Sequence, residues 1–275
     1  MTSRILVNGT ASEVVPALDR GLAYGDGLFE SIRFVGDRAP LWSRHMQRLH
    51  ESCRWMRMPE PDPEQLWIEA LQVSRGMSCA VVRITLTRGL GERGYVPPAN
   101  PKPTRVLAAF TPPAVMPETY ELGVRVRVCD LRLADQPLLA GMKHLNRLEQ
   151  VLARAEWTDP AIAEAVLCDS HEWVISATMA NLFVVVDGVL LTPAVDRCGV
   201  AGVARAEILD FEPQVQIGNV SLAALRDASE IFLSSSVRGI VPVRALGDQV
   251  YAPGPVARRL QQHWQGLGFS MEQGG

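Results

Sequence analysis

Residues 138–150 read LLAGMKHLNRLEQ. An apolar approach leads through Gly141 to a lysine, and apolar residues then recur at Leu145, Leu148, Val151 and Leu152. That spacing puts four side chains on one helical face and predicts a helix over about 145–157. Of the 27 basic residues in the chain only two, Lys102 and Lys143, are lysines. Lys102 stands between prolines in NPKPT and reads as a solvated loop charge. Lys143 has no such setting. A single lysine is more often a surface charge than a reactive amine, so a chemical role for it needs support from elsewhere in the chain.

Upstream, RILV and ASEVV flank Asn8-Gly9, a pair suited to a tight hairpin because both residues tolerate positive φ. LFESIRFVGDRAPLW reads as a second hairpin turning at Gly36-Asp37. Ser43 is placed to cap a helix through about Met56, with Met46, Leu49, Cys53 and Trp55 or Met56 as its apolar stripe. Another helix follows Pro61-Asp62-Pro63, then the strands CAVVRITLTR and TRVLAAF. The proline-rich TPPAVMP marks a boundary, giving an N-terminal domain over 1–112, a linker at 113–118 and a C-terminal domain over 119–275. The second half holds strands at VRVRVCDL, EAVLCD, EWVIS, NLFVVV, GVLLT, VQIGNV and EIFLSS, a helix opening at Gly202, and a terminal helix over about 255–265. The fold class expected is α+β in two domains.

With 275 residues, 47% hydrophobic and 21% charged, the chain has enough apolar material for a large core. Its net charge of −3 offers no general attraction for nucleic acid or an anionic membrane. Five scattered cysteines without a C-x-x-C pair point to neither a disulfide framework nor a zinc site and suit a cytoplasmic setting. The N-terminal MTSRILVNGT carries no apolar leader, and charged residues interrupt every apolar run before membrane-spanning length.

Several motifs carry less than their patterns suggest. Gly89-Leu90-Gly91-Glu92-Arg93-Gly94 matches G-x-G-x-x-G, but Tyr95-Val96-Pro97-Pro98 cannot continue as the helix that a dinucleotide site requires. A loop bearing Arg93 remains. His45 and His50 lie five apart on a helix and point in different directions, and no other histidine has partners at ligand spacing, so no metal is expected. Anion-binding features are stronger. GVAGVAR, residues 199–205, is a glycine-bracketed turn running into a helix whose Val203 and Ala204 amides can face a ligand. A plain tight turn explains those residues equally well. Ser234-Ser235-Ser236 ends an apolar strand with hydroxyl donors, and Arg48 on the first long helix offers a fixed forked charge.

Taken together, DRGLAYGDGLFESIR, HMQRLH, TRGLGERGY, KHLNRLEQVLAR, ANLF, GVAGVAR and SSSVRGIVPV resemble, in order and spacing, the fold-type IV pyridoxal-phosphate enzymes of the class IV aminotransferase family. The resemblance runs from residue 5 to about 245, and KHLNRLEQV with the TRG…RGY pair is most similar to the 4-amino-4-deoxychorismate lyase branch. It implies Lys143 as the Schiff-base lysine and Arg48, Val203, Ala204 and Ser236 as holders of the cofactor phosphate. It implies Asn181 as support for the strand beside the cofactor ring. Tyr24, Ser31, Arg33, Arg88, Arg93 and Tyr95 would face the substrate, the arginines pairing with its carboxylates. It further implies a homodimer acting on a small molecule.

One position departs from the family pattern. A glutamate that contacts the cofactor's pyridine nitrogen lies five residues before the asparagine of ANLF in the family, and here that position is Ser176. A hydroxyl balances a pyridinium less well than an anion, which weakens the ring as an electron sink. An elimination that ends in an aromatic ring tolerates this better than a transamination does. Ser31, where branched-chain aminotransferases carry glycine, tilts the same way. The expectation is conversion of 4-amino-4-deoxychorismate to 4-aminobenzoate and pyruvate in folate biosynthesis. The alternatives are a branched-chain or D-amino acid aminotransferase and a non-catalytic binding protein that keeps the fold.

Overall fold

The computed structural model describes residues 4–269. The outer ends of the two expected domains and the first residues of the leader reading lie outside them. The described chain sorts into two units: residues up to Pro113 with Met142–Asn146, and Ala114–Gly141 with Arg147 onward. The Lys143 segment, expected in the C-terminal domain, therefore groups with the first unit.

The first unit contains β1 (Ile5–Val7), β2 (Thr10–Ala11), α1 (Arg20–Tyr24), β3 (Gly27–Val35), α2 (Trp42–Trp55), α3 (Pro63–Ser74), β4 (Cys79–Thr87) and β5 (Thr104–Phe110). Its strands form an antiparallel sheet in the order β2-β1-β5-β4-β3. Asn8 and Gly9, at φ 49° and 81°, make the expected first hairpin. The second hairpin is not built. Gly36 turns, but only Val35 bridges back to Arg38, and β3 pairs instead with β4 from Gly27↔Thr87 to Val35↔Cys79. Pro40 removes a ladder donor from the return arm, and α2 begins two residues later. Leu41 rather than Ser43 is the N-cap of α2, with no side-chain cap bond. Asp62 does cap α3, accepting from the Glu64 amide at 2.9 Å, with Pro63 in the first turn where its missing N–H costs nothing.

The period of two along β3 fixes two faces. Leu28, Ile32 and Phe34 join Val82, Ile84, Leu86, Leu107 and Leu6 in a core closed by Met46, Leu49 and Cys53 of α2 and Leu66, Ala70 and Val73 of α3. Each fully buried large side chain there contributes about 1.5–3 kcal/mol. Phe29, Ser31 and Arg33 necessarily take the opposite face.

The second unit contains α4 (Pro117–Glu121), β6 (Val124–Leu133), α5 (Leu148–Arg154), β7 (Ile162–Asp169), β8 (Trp173–Ala177), β9 (Asn181–Val186), β10 (Val189–Pro193) and α6 (Val203–Phe211). It continues with β11 (Gln216–Gly218), β12 (Val220–Ser221), α7 (Leu222–Asp227), β13 (Glu230–Ser235), β14 (Gly239–Leu246), β15 (Gln249–Val250) and α8 (Pro255–Gly266). Its mixed sheet runs β11-β10-β9-β13-β14-β6-β7-β8-β12, with β15 on β14. The pairings β10/β11, β14/β6 and β6/β7 are parallel. Both units mix helices with a sheet, as expected for α+β.

Helix α5 is shorter than its apolar spacing suggested, and its stripe faces outward. Leu145 lies in a bend before the helix and donates its N–H to Gly27, while Leu148, Val151 and Leu152 are exposed and Ala153 packs inside. Spacing tells which residues share a face, not which face is covered. Among the described residues no helix is long and apolar enough to cross a membrane.

Candidate active site

Lys143 lies beside the start of β3. Its carbonyl accepts the Phe29 N–H at 3.0 Å, the next residue bridges Leu28, and the Leu145 N–H reaches Gly27 at 2.9 Å. The segment thus extends the sheet edge, and the lysine points across the face that Phe29 occupies: Nζ is 4.3 Å from the Phe29 ring centroid. Arg83 of β4 stands 4.2 Å from the same centroid. The register puts Ser31 opposite Arg83 and Phe29 opposite Thr85. Ser31 and the buried Arg33 share this face by alternation. Among the described residues no carboxylate pairs with Arg83, whose polar contact is the Thr85 hydroxyl at 3.4 Å. Two cations against one aromatic ring, with hydroxyls alongside, form a surface that attracts an anion.

On the core side of the same strand is Glu30. It is buried, accepts from Arg48 Nε at 2.8 Å and from Arg48 Nη2, and meets His45 Nδ1 at 2.7 Å. Burial opposes its ionisation, but the Arg48 charge and the His45 contact outweigh that and hold its pKa at about 2. Desolvation lowers the His45 pKa against the pull of Glu30, so the imidazole is neutral near pH 7. Because an ionised Glu30 can only accept, the proton must sit on Nδ1. Arg48, expected at a cofactor phosphate, therefore has two of its donors fixed by Glu30.

Tyr24, Arg88, Arg93 and Tyr95 gather at the end of β4. Tyr24 Oη accepts the Gly94 N–H at 3.1 Å, and the Tyr24 and Tyr95 rings lie 5.4 Å apart. Arg93 and Tyr95 are exposed. Arg88 differs from the expectation. It is buried, and its guanidinium is committed to Asp26 Oδ2 at 2.8 Å and to the carbonyls of Arg57 at 3.1 Å and Met56 at 3.0 Å. Those bonds make it a strut at the end of α2, with one N–H of each nitrogen engaged.

In the second unit, Asn181 opens β9 and donates from Nδ2 to the Val200 carbonyl at 2.9 Å. The turn is tied further by Gly141 N–H to Gly199 at 3.1 Å and Ala201 N–H to Gly141 at 3.0 Å, two residues before Lys143 in the chain. A Cβ at Gly202 would stand 2.0 Å from Asn181 Oδ1, so the close approach requires glycine. Gly202 is the N-cap of α6 and supplies no side-chain cap, so no capping side chain takes the amides of Val203 and Ala204. Ser236 is half-buried just beyond β13, on which Ser234 is opposite Asn181. Ser176 is buried on β8. Glu172, its nearest carboxylate in sequence and the turn residue just before that strand, pairs on the surface with Arg132 at 2.8 and 2.9 Å.

Sequence reading had passed over Arg83, Asp26, the Glu30–His45 pair and Glu164. The last is a buried carboxylate on β7 that accepts the Thr178 N–H at 3.2 Å and the Thr178 hydroxyl. A signal existed for two of them: a glutamate inside LFESI and another inside IAEAVL interrupt apolar runs and so require buried partners. Arg83 gave none, because only the strand register reveals its face. Among the described residues no cluster could hold a metal ion.

A family model described as amino-transferase class IV matches residues 27–246. An aminodeoxychorismate lyase of Vibrio harveyi is 36% identical over 263 residues, covering 93% of this chain and 97% of the relative. The crystal structure of 4-amino-4-deoxychorismate lyase from Pseudomonas aeruginosa superposes with a TM-score of 0.90 at 44% identity, over 95% of this chain and 98% of that one. A putative branched-chain-amino-acid aminotransferase of Methanocaldococcus jannaschii is 30% identical, covering 92% of this chain and 91% of the relative.

Proposed function

Because the chain belongs to the amino-transferase class IV family, we propose that it is a lyase converting 4-amino-4-deoxychorismate to 4-aminobenzoate and pyruvate. Its cofactor in this reading is pyridoxal phosphate, and the enzyme is a cytoplasmic homodimer serving folate biosynthesis. The lyases among its relatives support the reaction. The observation that carries the reading is the Lys143 amine set 4.3 Å from the Phe29 ring, beside Arg83.

The donor set fits the cofactor. A phosphate calls for amide and hydroxyl donors, which Val203, Ala204 and Ser236 would supply, with Gly202 and Asn181 shaping the turn. An aldehyde calls for a primary amine, and Lys143 is one of two in the chain. Ser176 would offer the ring nitrogen a hydroxyl rather than an anion. When bound, pyridoxal phosphate supplies a carbon that captures the substrate amine and a ring that accepts the electron pair released next to it.

With the cofactor bound, Lys143 would serve as the base that takes the proton from the substrate ring carbon bearing nitrogen. The neighbouring carbon–oxygen bond to the enolpyruvyl group breaks as the ring becomes aromatic. The proton returns to the enolpyruvate carbon to give pyruvate, so the atoms balance without water. Arg33, Arg83 and Arg93 hold the substrate carboxylates and position the reacting carbon; Arg83 takes the part first given to Arg88. The homodimer is supported by exposed apolar side chains: Leu18 and Leu22 in the first unit, and Leu148, Val151 and Leu152 in the second.

Aminodeoxychorismate added to the purified protein should yield fluorescent 4-aminobenzoate. Lys143→Ala should abolish both this turnover and a yellow, borohydride-reducible cofactor linkage, while Lys102→Ala leaves them. Equal labelling of the two variants would sink the assignment. The Methanocaldococcus relative supports a second reading, amino-acid transamination. Turnover of an amino acid with 2-oxoglutarate, and none of aminodeoxychorismate, would establish it. A colourless protein that gains no absorbance with added cofactor would favour a binding protein.

A further inference from the structure

We propose that Arg20 and Asp26 are positioning residues that fix the loop over residues 89–96 and through it set the affinity for substrate. The inference rests on the reading of Arg93 and Tyr95 as substrate-facing.

The loop lies between β4 and β5 and buries little of its own. Leu90, Tyr95 and Val96 are all exposed, Tyr95 at 85%. Without an apolar anchor, its place is decided by polar contacts. Besides the Gly94 N–H to Tyr24, the Gly89 N–H to the Thr87 hydroxyl and the Asp19–Leu90 bridge, three of them converge on one side chain. Arg20, buried at the start of α1, donates from Nη1 to the Gly94 carbonyl at 3.0 Å and the Val96 carbonyl at 3.4 Å. Its Nη2 reaches the Tyr95 carbonyl at 3.2 Å, and its backbone N–H reaches Gly89 at 2.9 Å. Gly91 rides over its stem, where a Cβ would come within 2.8 Å of Arg20 Cδ. With three successive carbonyls turned inward, the Tyr95 side chain is presented outward against Tyr24.

Asp26 aims the fork. Its Oδ2 accepts the Arg20 Nε at 2.8 Å and the Arg88 Nε at 2.8 Å, so one carboxylate oxygen holds two guanidinium groups directed at different segments. Burial opposes its ionisation, and the two arginines lower its pKa all the same. The pair of cations exceeds the single anion by one charge, and the carbonyls of 94–96 and of 56–57 are the dipoles that meet the excess. A lysine at position 20 would keep the charge but is a single point donor. It cannot span Asp26 and three carbonyls at once.

The test uses the cofactor-loaded protein and its Arg20→Lys and Asp26→Asn variants. For Arg20→Lys we expect KM for aminodeoxychorismate to rise about tenfold with kcat within about twofold and Tm within about 2 °C. Hydrogen exchange over 89–96 should quicken. Asp26→Asn should raise KM at least as much and also quicken exchange at the end of α2. Faster loop exchange with an unchanged KM would overturn the proposal, as would a joint fall of kcat and Tm at constant KM. If the unaltered protein fails to turn over aminodeoxychorismate, the reaction assigned above is wrong. The same KM comparison, made with an amino-acid donor and 2-oxoglutarate, then decides the role of the loop.

Discussion

Glu30 shows how one buried carboxylate links the core to the site. Its pKa falls from 4.5 to about 2. A depressed folded-state pKa means that its contribution is complete above about pH 4.5 and is lost as pH falls through about 2. The shift corresponds to roughly 3 kcal/mol, drawn from Arg48 and His45. Glu30→Gln should therefore lower stability at pH 7 and flatten the acid limb between about pH 4.5 and 2. Urea unfolding at a series of pH values measures this, and a variant with the wild-type acid limb would show the charge to be immaterial. The residue's neighbours also explain what sequence could not give. The scarcity of lysine drew attention to Lys143 and the family resemblance gave it a role, whereas the partners of Arg48 and Arg88 depended on which strand face each carboxylate took.

The 199–205 turn is the element on which cofactor affinity should depend most. Gly202 has an ordinary φ of −68°, so a side chain there meets no backbone strain. The obstacle is Asn181 Oδ1 at 2.0 Å from the new Cβ. In Gly202→Ala, Asn181 must turn away and give up its bond to Val200. We expect cofactor affinity to fall more than about tenfold in an absorbance titration, and unaltered affinity would remove the turn from the phosphate site. Local chemistry made this element legible, as it did Asn8-Gly9 and the Asp62–Pro63 helix start, because each signal acts within four residues. Errors arose where a neighbour decided. The arm after Gly36 lost its pairing to β4, and α1 is a five-residue helix whose place is fixed by the capping Asp19 and by β4. The stripe on α5 gave its spacing truly and its direction wrongly.

For the whole molecule, the exposed leucines and valine on α5 are the feature that a lone chain leaves unexplained. Leu148 is 68% exposed and Val151 61%. Their substitution should cost the single chain little, since surface changes usually lie within about 0.5 kcal/mol. Val151→Glu should therefore keep the thermal transition of the subunit while shifting a dimer toward monomer in sedimentation velocity. A dimer of undiminished affinity would mean that other surfaces hold it. The contacts divide the chain after Pro113. What no pattern announced is that residues 142–146 return to the first unit. A gene spliced once at that division, joining halves from two ancestors, would hand its lysine to a strand of foreign parentage. The two stretches must descend as a set, whatever their proteins have come to make.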